Sequence, residues 1–90
     1  MRAVRFGGAF RKDLKRVMKR GYDRARLDSI TDTLRQGIAL SAAARAHPLR
    51  GDWKGYWECH VAPDWLLIYK LSDDELFLAR TGTHADLFKL

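Results

Sequence analysis

One short strand, two helices and then three strands are the signals in this chain, and in that order they predict an α+β domain: an antiparallel sheet with an N-terminal helical hairpin packed on one face. Three observations carry the prediction. Between residues 9 and 36 apolar residues recur every three or four positions, the period of helices facing a core. From residue 53 the pattern alternates, and Trp65-Leu66-Leu67-Ile68-Tyr69 is apolar at every position, as in a strand covered on both sides. The turns Ala62-Pro63-Asp64 and Ser72-Asp73-Asp74 leave so little chain between strands that neighbours must run antiparallel.

Residues 2–6 are expected to form a short edge strand, with arginines that discourage pairing to other chains, and Gly7-Gly8 ends it. Over residues 9–20, Phe10, Leu14, Val17 and Met18 make an apolar stripe, and Gly21 is placed as the C-terminal cap. The opposite face carries Arg11, Lys12, Lys15, Arg16, Lys19 and Arg20. Asp23 is positioned to cap a second helix, in which Leu27, Ile30 and Leu34 repeat before Gly37 closes it. Ser41 is expected to cap a short helical turn over residues 42–46 that stops before Pro48, leaving His47 at a helix end. Residues 53–61 read as a strand with Trp53, Trp57, Cys59 and Val61 toward the core and Lys54, Tyr56, Glu58 and His60 on the other face. Trp65 joins the expected aromatic core. Residues 75–81 complete the sheet, Leu76, Leu78 and Arg80 alternating with Phe77 and Ala79.

Ninety residues without repeats or linkers make a single domain spanning 1–90. One cysteine, Cys59, excludes an internal disulfide and suits a reducing cytoplasm; on the core face its thiol is expected to be inert. No apolar run approaches the roughly 20 residues of a membrane span, and the N-terminus lacks a secretory core, so a cytoplasmic protein without a membrane partner is expected. Residues 1–50 hold 13 Lys and Arg against 4 Asp, a balance of +9, whereas residues 51–90 hold 4 against 7, a balance of −3. A field so concentrated in one half is expected of a protein that rides on phosphate or docks an acidic partner. The first helix, with Arg11, Lys15 and Lys19, is the expected phosphate-facing element.

The three histidines, His47, His60 and His84, all lie after the basic helices. The turn at Ala62 brings His60 and Asp64 near one another, and His84 reaches the same sheet if the chain folds back over it. Imidazoles titrate near pH 6.5, so one can accept a proton while another donates one. Cleavage of RNA by its own 2′-hydroxyl needs such a pair and no metal, with cations such as Lys54 or Arg80 beside the charged phosphorane. The histidine spacings of 13 and 24 residues match no short metal motif, so no metal or other cofactor is expected. Tyr56 and Phe88 are available to stack on a base.

Three ordered stretches carry a family resemblance: His47-Pro-Leu-x-Gly-x-Trp-Lys-Gly-Tyr, His60-Val-x-Pro-Asp64-Trp-x-Leu-Ile-Tyr-Lys, and Arg80-Thr-Gly-Thr-His84-Ala-x-Leu-Phe88. They resemble the YafQ branch of the RelE toxin superfamily, nearly continuously from His47 to Phe88, while the helical hairpin agrees in pattern. The resemblance implies a type II toxin. Such a toxin is an endoribonuclease that enters the ribosomal A site, cuts translated mRNA without a metal, and is silenced by a cognate antitoxin, a small DNA-binding protein whose acidic or amphipathic segment covers it. Carried over by position, it implies His47, His60, Asp64 and His84 as the catalytic set: His84 as general acid, Asp64 or His60 as base, and His47 as a phosphate or base contact. Phe88 helps to hold the RNA, and Glu58 stands where the family often has aspartate. The tail continues with Lys89-Leu90, which bears on the placement of Phe88. Two other classes fit the residues less fully: a non-catalytic RNA- or ribosome-binding module acting through its basic helix, and a metal-dependent hydrolase of a small molecule.

Overall fold

The wholly apolar run becomes the middle strand of a five-stranded sheet. The structure, a computed structural model, describes residues 1–88; the expected influence of Lys89-Leu90 on Phe88 lies outside the described residues. Its strands are β1 (Ala3–Phe6), β2 (His47–Pro48), β3 (Trp57–Ala62), β4 (Trp65–Leu71) and β5 (Glu75–Gly82), in spatial order β1-β5-β4-β3-β2. Helices α1 (Gly8–Lys19) and α2 (Arg24–Arg35) form the hairpin, and a short α3 (His84–Phe88) follows β5. Strands β3 to β5 pair antiparallel as expected; β2, formed by residues read as loop, adds antiparallel to β3, and β1 joins β5 in parallel, making the sheet mixed. No hairpin turn links β1 to β5, so their relative direction was not constrained by loop length.

Alternation along β3 and β4 sorts the two faces. Cys59, Val61, Trp65, Leu67 and Tyr69 turn to the hairpin side and pack with Phe10, Val17, Leu27 and Leu34. On the other side Leu66, Ile68 and Ala79 lie under Leu87, with Leu49, Trp53, Tyr56, Phe77 and Phe88 around them. All five residues of β4 from Trp65 to Tyr69 are buried, so the strand is covered on both faces as its composition predicts. Trp65 also satisfies its indole by donating Nε1–H to Thr81 Oγ1 at 2.9 Å, and that hydroxyl donates to the Leu66 carbonyl at 2.7 Å.

The central loop departs from expectation. Residues 51–53 form one turn of 3-10 helix, Gly55 adopts φ +94°, and the strand starts only at Trp57. Trp53 is therefore released from the strand's alternation and packs edge-on to Tyr56 at 5.2 Å, on the face opposite the hairpin core. Trp57 keeps the parity of Cys59 but lies beyond the helical cover, lining an open groove with Ile38, Leu40 and Tyr69, and is 38% exposed. Of the three tryptophans expected in the core, only Trp65 is there. His47 is likewise not at a helix end: the Ala42–Ala44 turn is a single 3-10 turn without a Ser41 side-chain cap, and His47 pairs with Glu58 across β2 and β3.

Asp23 caps α2 as expected, accepting from the Ala25 amide at 3.0 Å. In α1 one position breaks the apolar stripe. Asp13 stands between Phe10 and Val17 on the buried face and is 1% exposed. It accepts from Arg80 Nε at 2.6 Å, Arg80 Nη2 at 3.2 Å and the Thr81 amide at 3.2 Å. This carboxylate bolts α1 to β5.

Two predictions arise from this packing. Replacing Asp13 by alanine leaves the Arg80 guanidinium unpaired beside the core, at a cost of about 3 kcal/mol; a thermal melt of Asp13→Ala should fall by roughly 10–20 °C for a domain of this size. Burial pushes the Cys59 thiol up to about 12, so it stays protonated in the folded chain. Iodoacetamide at pH 8 should then modify Cys59 only as fast as the whole domain opens, with denaturant accelerating labelling in step with the loss of helical circular dichroism.

Candidate active site

Side-chain alternation in β3 sets Glu58 and His60 opposite Ile68 and Leu66 of β4, on the α3 side of the sheet. The turn that follows places Asp64 at φ +52°, a left-handed conformation, and aims its carboxylate at the start of α3. That start is a reciprocal cap. The Thr83 amide donates to Asp86 Oδ2 at 3.0 Å, and the Asp86 amide donates to Thr83 Oγ1 at 3.1 Å. His84 is the first helical residue, and Asp64 Oδ1 accepts from both its amide, at 3.0 Å, and its ring Nδ1, at 2.6 Å. A carboxylate only accepts, so Nδ1 carries the proton and Nε2 is the atom left to face a substrate.

The same device holds His47. Its Nδ1 lies 2.8 Å from the Arg45 carbonyl, which can only accept, so Nε2 again points outward. Arg45 and Asp64, the two anchors, are the only non-glycine residues at positive φ among the described residues. Backbone conformations that a Cβ disfavours thus occur where a histidine is being oriented.

These groups form one arc. His47 Nε2 is 3.8 Å from Glu58 Oε1, the His60 and His84 ring centroids are 6.1 Å apart, and Phe88 lies 6.4 Å beyond His84. Glu58, at 5% exposure, is the buried member on a face expected to be wet. Glu58, His60 and His84 each present one ligand atom, all within 4.8 Å of one another, a spacing that suits a divalent cation. His60, Asp64 and His84 also border a cleft of about 730 Å³, whose far wall is built by Arg26 and Ile30 of α2 and by Ala44 and Arg45.

His47, Glu58, His60, Asp64, His84 and Phe88 are therefore brought together, and the other named residues are not. Lys54 is exposed after the Gly51–Trp53 turn, off the strand. Arg80, expected beside the phosphorane, has its Nε and Nη2 on Asp13, the buried carboxylate of α1. Arg11, Lys15 and Lys19 remain exposed along α1, apart from the arc.

Two of the helix cations serve inward instead. Arg20 donates from Nη1 and Nη2 to Asp86 at 2.6 and 2.9 Å, and Arg16 Nη1 lies 3.6 Å from both Asp86 and Asp13. The chain Arg80–Asp13–Arg16–Asp86–Arg20 ties β5, α1 and α3 together, so the basic helix fixes the element that carries His84. Gly82 permits the approach: a Cβ there would sit 2.9 Å from Asp86 Oδ2. Two signals in the sequence pointed to this network, the carboxylate within the Phe10/Leu14/Val17 stripe and the Thr83-x-x-Asp86 capping pattern.

A mixed sheet under a helical hairpin, with histidines at the mouth formed by β3 and a short C-terminal helix, is the build of a small bacterial toxin. The chain matches a copper-bound mutant toxin from Helicobacter pylori with a TM-score of 0.93, at 38% identity and covering 98% of this chain and 100% of that one. It matches a chain of the Escherichia coli DinJ-YafQ complex with a TM-score of 0.89, at 45% identity and covering 98% and 99%. The mRNA interferase toxin YafQ of Escherichia coli strain K12 is 46% identical over 88 residues, 97% of this chain and 96% of that protein. Residues 2–89 match the family described as bacterial toxin of type II toxin-antitoxin system, YafQ, and the chain belongs to that family. The family resemblance carried by the three sequence stretches holds.

The carboxylates predict an acid-dependent stability. The amide and ring of His84 hold Asp64 below the usual carboxylate range, and the Arg20 guanidinium, helped by Thr83, holds Asp86 far below it. A depressed folded-state pKa stabilises above the unfolded value near 3.9 and is lost as pH falls through the folded value. Unfolding midpoints should be level from about pH 7 to 5 and drop below about pH 4. Asp86→Asn should be less stable at pH 7, with its deficit shrinking as the buffer is taken toward pH 2; a constant deficit would mean that its charge is not what holds α3.

Proposed function

We propose that this toxin is a ribosome-dependent endoribonuclease that cuts translated mRNA in the A site by metal-independent acid–base catalysis. The observation that carries the reading is the pair His60 and His84, 6.1 Å apart, with His84 fixed through Nδ1 by a carboxylate. That separation leaves room for one phosphate between two imidazoles. His60 takes the proton from the 2′-hydroxyl, O2′ bonds to phosphorus, and the P–O5′ bond breaks as His84 Nε2 delivers a proton to O5′. The products are a 2′,3′-cyclic phosphate and a 5′-hydroxyl. Asp64 is held ionised and spends its oxygen on His84, so it positions the acid and His60 is the base. His47 Nε2 contacts the phosphate or base, and Phe88 beside His84 packs against the RNA.

Membership in the type II toxin family and 46% identity to an mRNA interferase support this reading. Ribosome dependence draws on the exposed Arg11, Lys15 and Lys19, spaced four apart on α1, which suit ribosomal RNA phosphates. Its place of action is the cytoplasm; among the described residues no helix is long and apolar enough to cross a membrane. The partner that silences it is a cognate antitoxin, a small DNA-binding protein whose acidic or amphipathic segment is drawn by the same positive field and covers the arc; the Escherichia coli relative forms the DinJ-YafQ complex.

A cation held by Glu58, His60 and His84 would occupy both imidazoles needed for proton transfer, so metal loading should inhibit. Cleavage in a translating extract at constant magnesium should survive a chelator selective for zinc and copper, and added copper should suppress it. In the same extract His84→Ala should lower the cleavage rate by about 10²-fold or more, and the mRNA without ribosomes should stay intact. Translation arrest with intact mRNA in both proteins would instead make the cations of α1 the active element.

A further inference from the structure

The cleft beside the histidines has no role in the proton transfers. We propose that it seats the nucleotide adjoining the scissile phosphate, with Arg26 and Arg45 holding that nucleotide's phosphate; the inference rests on reading the chain as a ribonuclease. At about 730 Å³ the cleft has the size of a small-ligand site, and His60, Asp64 and His84 form one of its walls. A strand cut between those histidines must leave the arc somewhere, and this space is continuous with it.

The charge pattern favours a phosphodiester. Arg16, Arg20 and Arg80 are each bound to Asp13 or Asp86, but Arg26 and Arg45 are exposed, and neither side chain makes a hydrogen bond or ion pair among the described residues. Among the described residues Asp64 is the one carboxylate lining the cleft, and its Oδ1 already takes two donors from His84. Between the arginines and the histidines Ile30, Val61 and Pro63 offer apolar surface for a base or ribose.

Backbone conformation singles out Arg45. It sits at φ 51°, ψ 44°, which glycine or asparagine would adopt more easily, while its carbonyl orients His47 from 2.8 Å. A guanidinium kept on a left-handed residue, next to the active-site arc, is expected where the side chain itself binds.

Arg45→Gly removes that side chain and preserves both the left-handed turn and the carbonyl on His47. Binding is measured by fluorescence anisotropy with a labelled single-stranded hexaribonucleotide carrying 2′-O-methyl groups, which cannot be cut because the nucleophile is blocked. The variants are Arg45→Gly, Arg26→Ala, their double, Arg45→Lys, and Arg24→Ala as a charge-matched control outside the cleft. The double variant should raise Kd about tenfold and flatten the slope of log affinity against log salt by about 0.7, one phosphate on a single strand. Arg45→Lys should recover most of its share, and Arg24→Ala should bind as wild type does. Circular dichroism establishes that each variant is folded. A double variant that binds as tightly as wild type, or no more weakly than Arg24→Ala, overturns the proposal. The binding assay involves no cleavage, so a wild-type rate in His84→Ala would sink the nuclease mechanism while leaving the cleft's affinity for RNA standing on its own result.

Discussion

Burial of β4 on both faces is the constraint from which the architecture follows. A strand whose residues from Trp65 to Tyr69 are all apolar must be covered twice, and the chain supplies two unequal covers. The larger is the α1–α2 hairpin over Trp65, Leu67 and Tyr69; the smaller is α3 with Leu49, Trp53 and Phe88 over Leu66 and Ile68. Each fully buried side chain of this kind contributes about 1.5–3 kcal/mol, so this strand is the largest block of favourable free energy in a small domain. The smaller cover leaves part of that face open. The histidine arc lies there, at the edge of an apolar floor.

Polar groups then turn a sheet with two covers into a site with fixed geometry. A five-residue helix cannot hold itself in place by propensity, because helix formation is costly below about 12 residues. Its start is pinned instead by the Thr83–Asp86 cap, by the Arg20 fork on Asp86, and by Asp64 on the His84 amide. His84 thus inherits its position from α1 through Asp86 and from the β3–β4 turn through Asp64. Asp13 completes the chain of charges by anchoring α1 to β5. Charges that a phosphate-facing reading assigns to nucleic acid are split: Arg16 and Arg20 hold the fold, and Arg11, Lys15 and Lys19 are exposed and make no ion pair among the described residues.

Loop geometry accounts for the places where residue patterns misled. Trp53 follows strand parity only if residues 53–56 are extended, and a 3-10 turn with Gly55 at positive φ breaks that parity. Trp57 has the parity of a core residue and is still 38% exposed, because the hairpin ends short of it. Side-chain direction is local, but cover depends on where a distant helix stops. Arg80 shows the same thing in electrostatic form: it is a cation four residues before His84 in the chain, and a carboxylate 67 residues away claims it.

Sequence by itself determined the order of β1, α1, α2 and the β3–β5 meander, though not β2 or α3, together with the two-sided central strand and the caps at Asp23 and Gly21, since periodicity and capping are properties of neighbouring residues. Its three ordered stretches also sufficed for the family. Tertiary structure alone decided that β1 lies parallel to β5, that Glu58 is buried beside His47, that Asp64 serves His84, and that Arg26 and Arg45 share a cleft with the histidines. Each of those facts joins residues from different elements, and such a junction is set by how the elements pack, a property that no local period encodes.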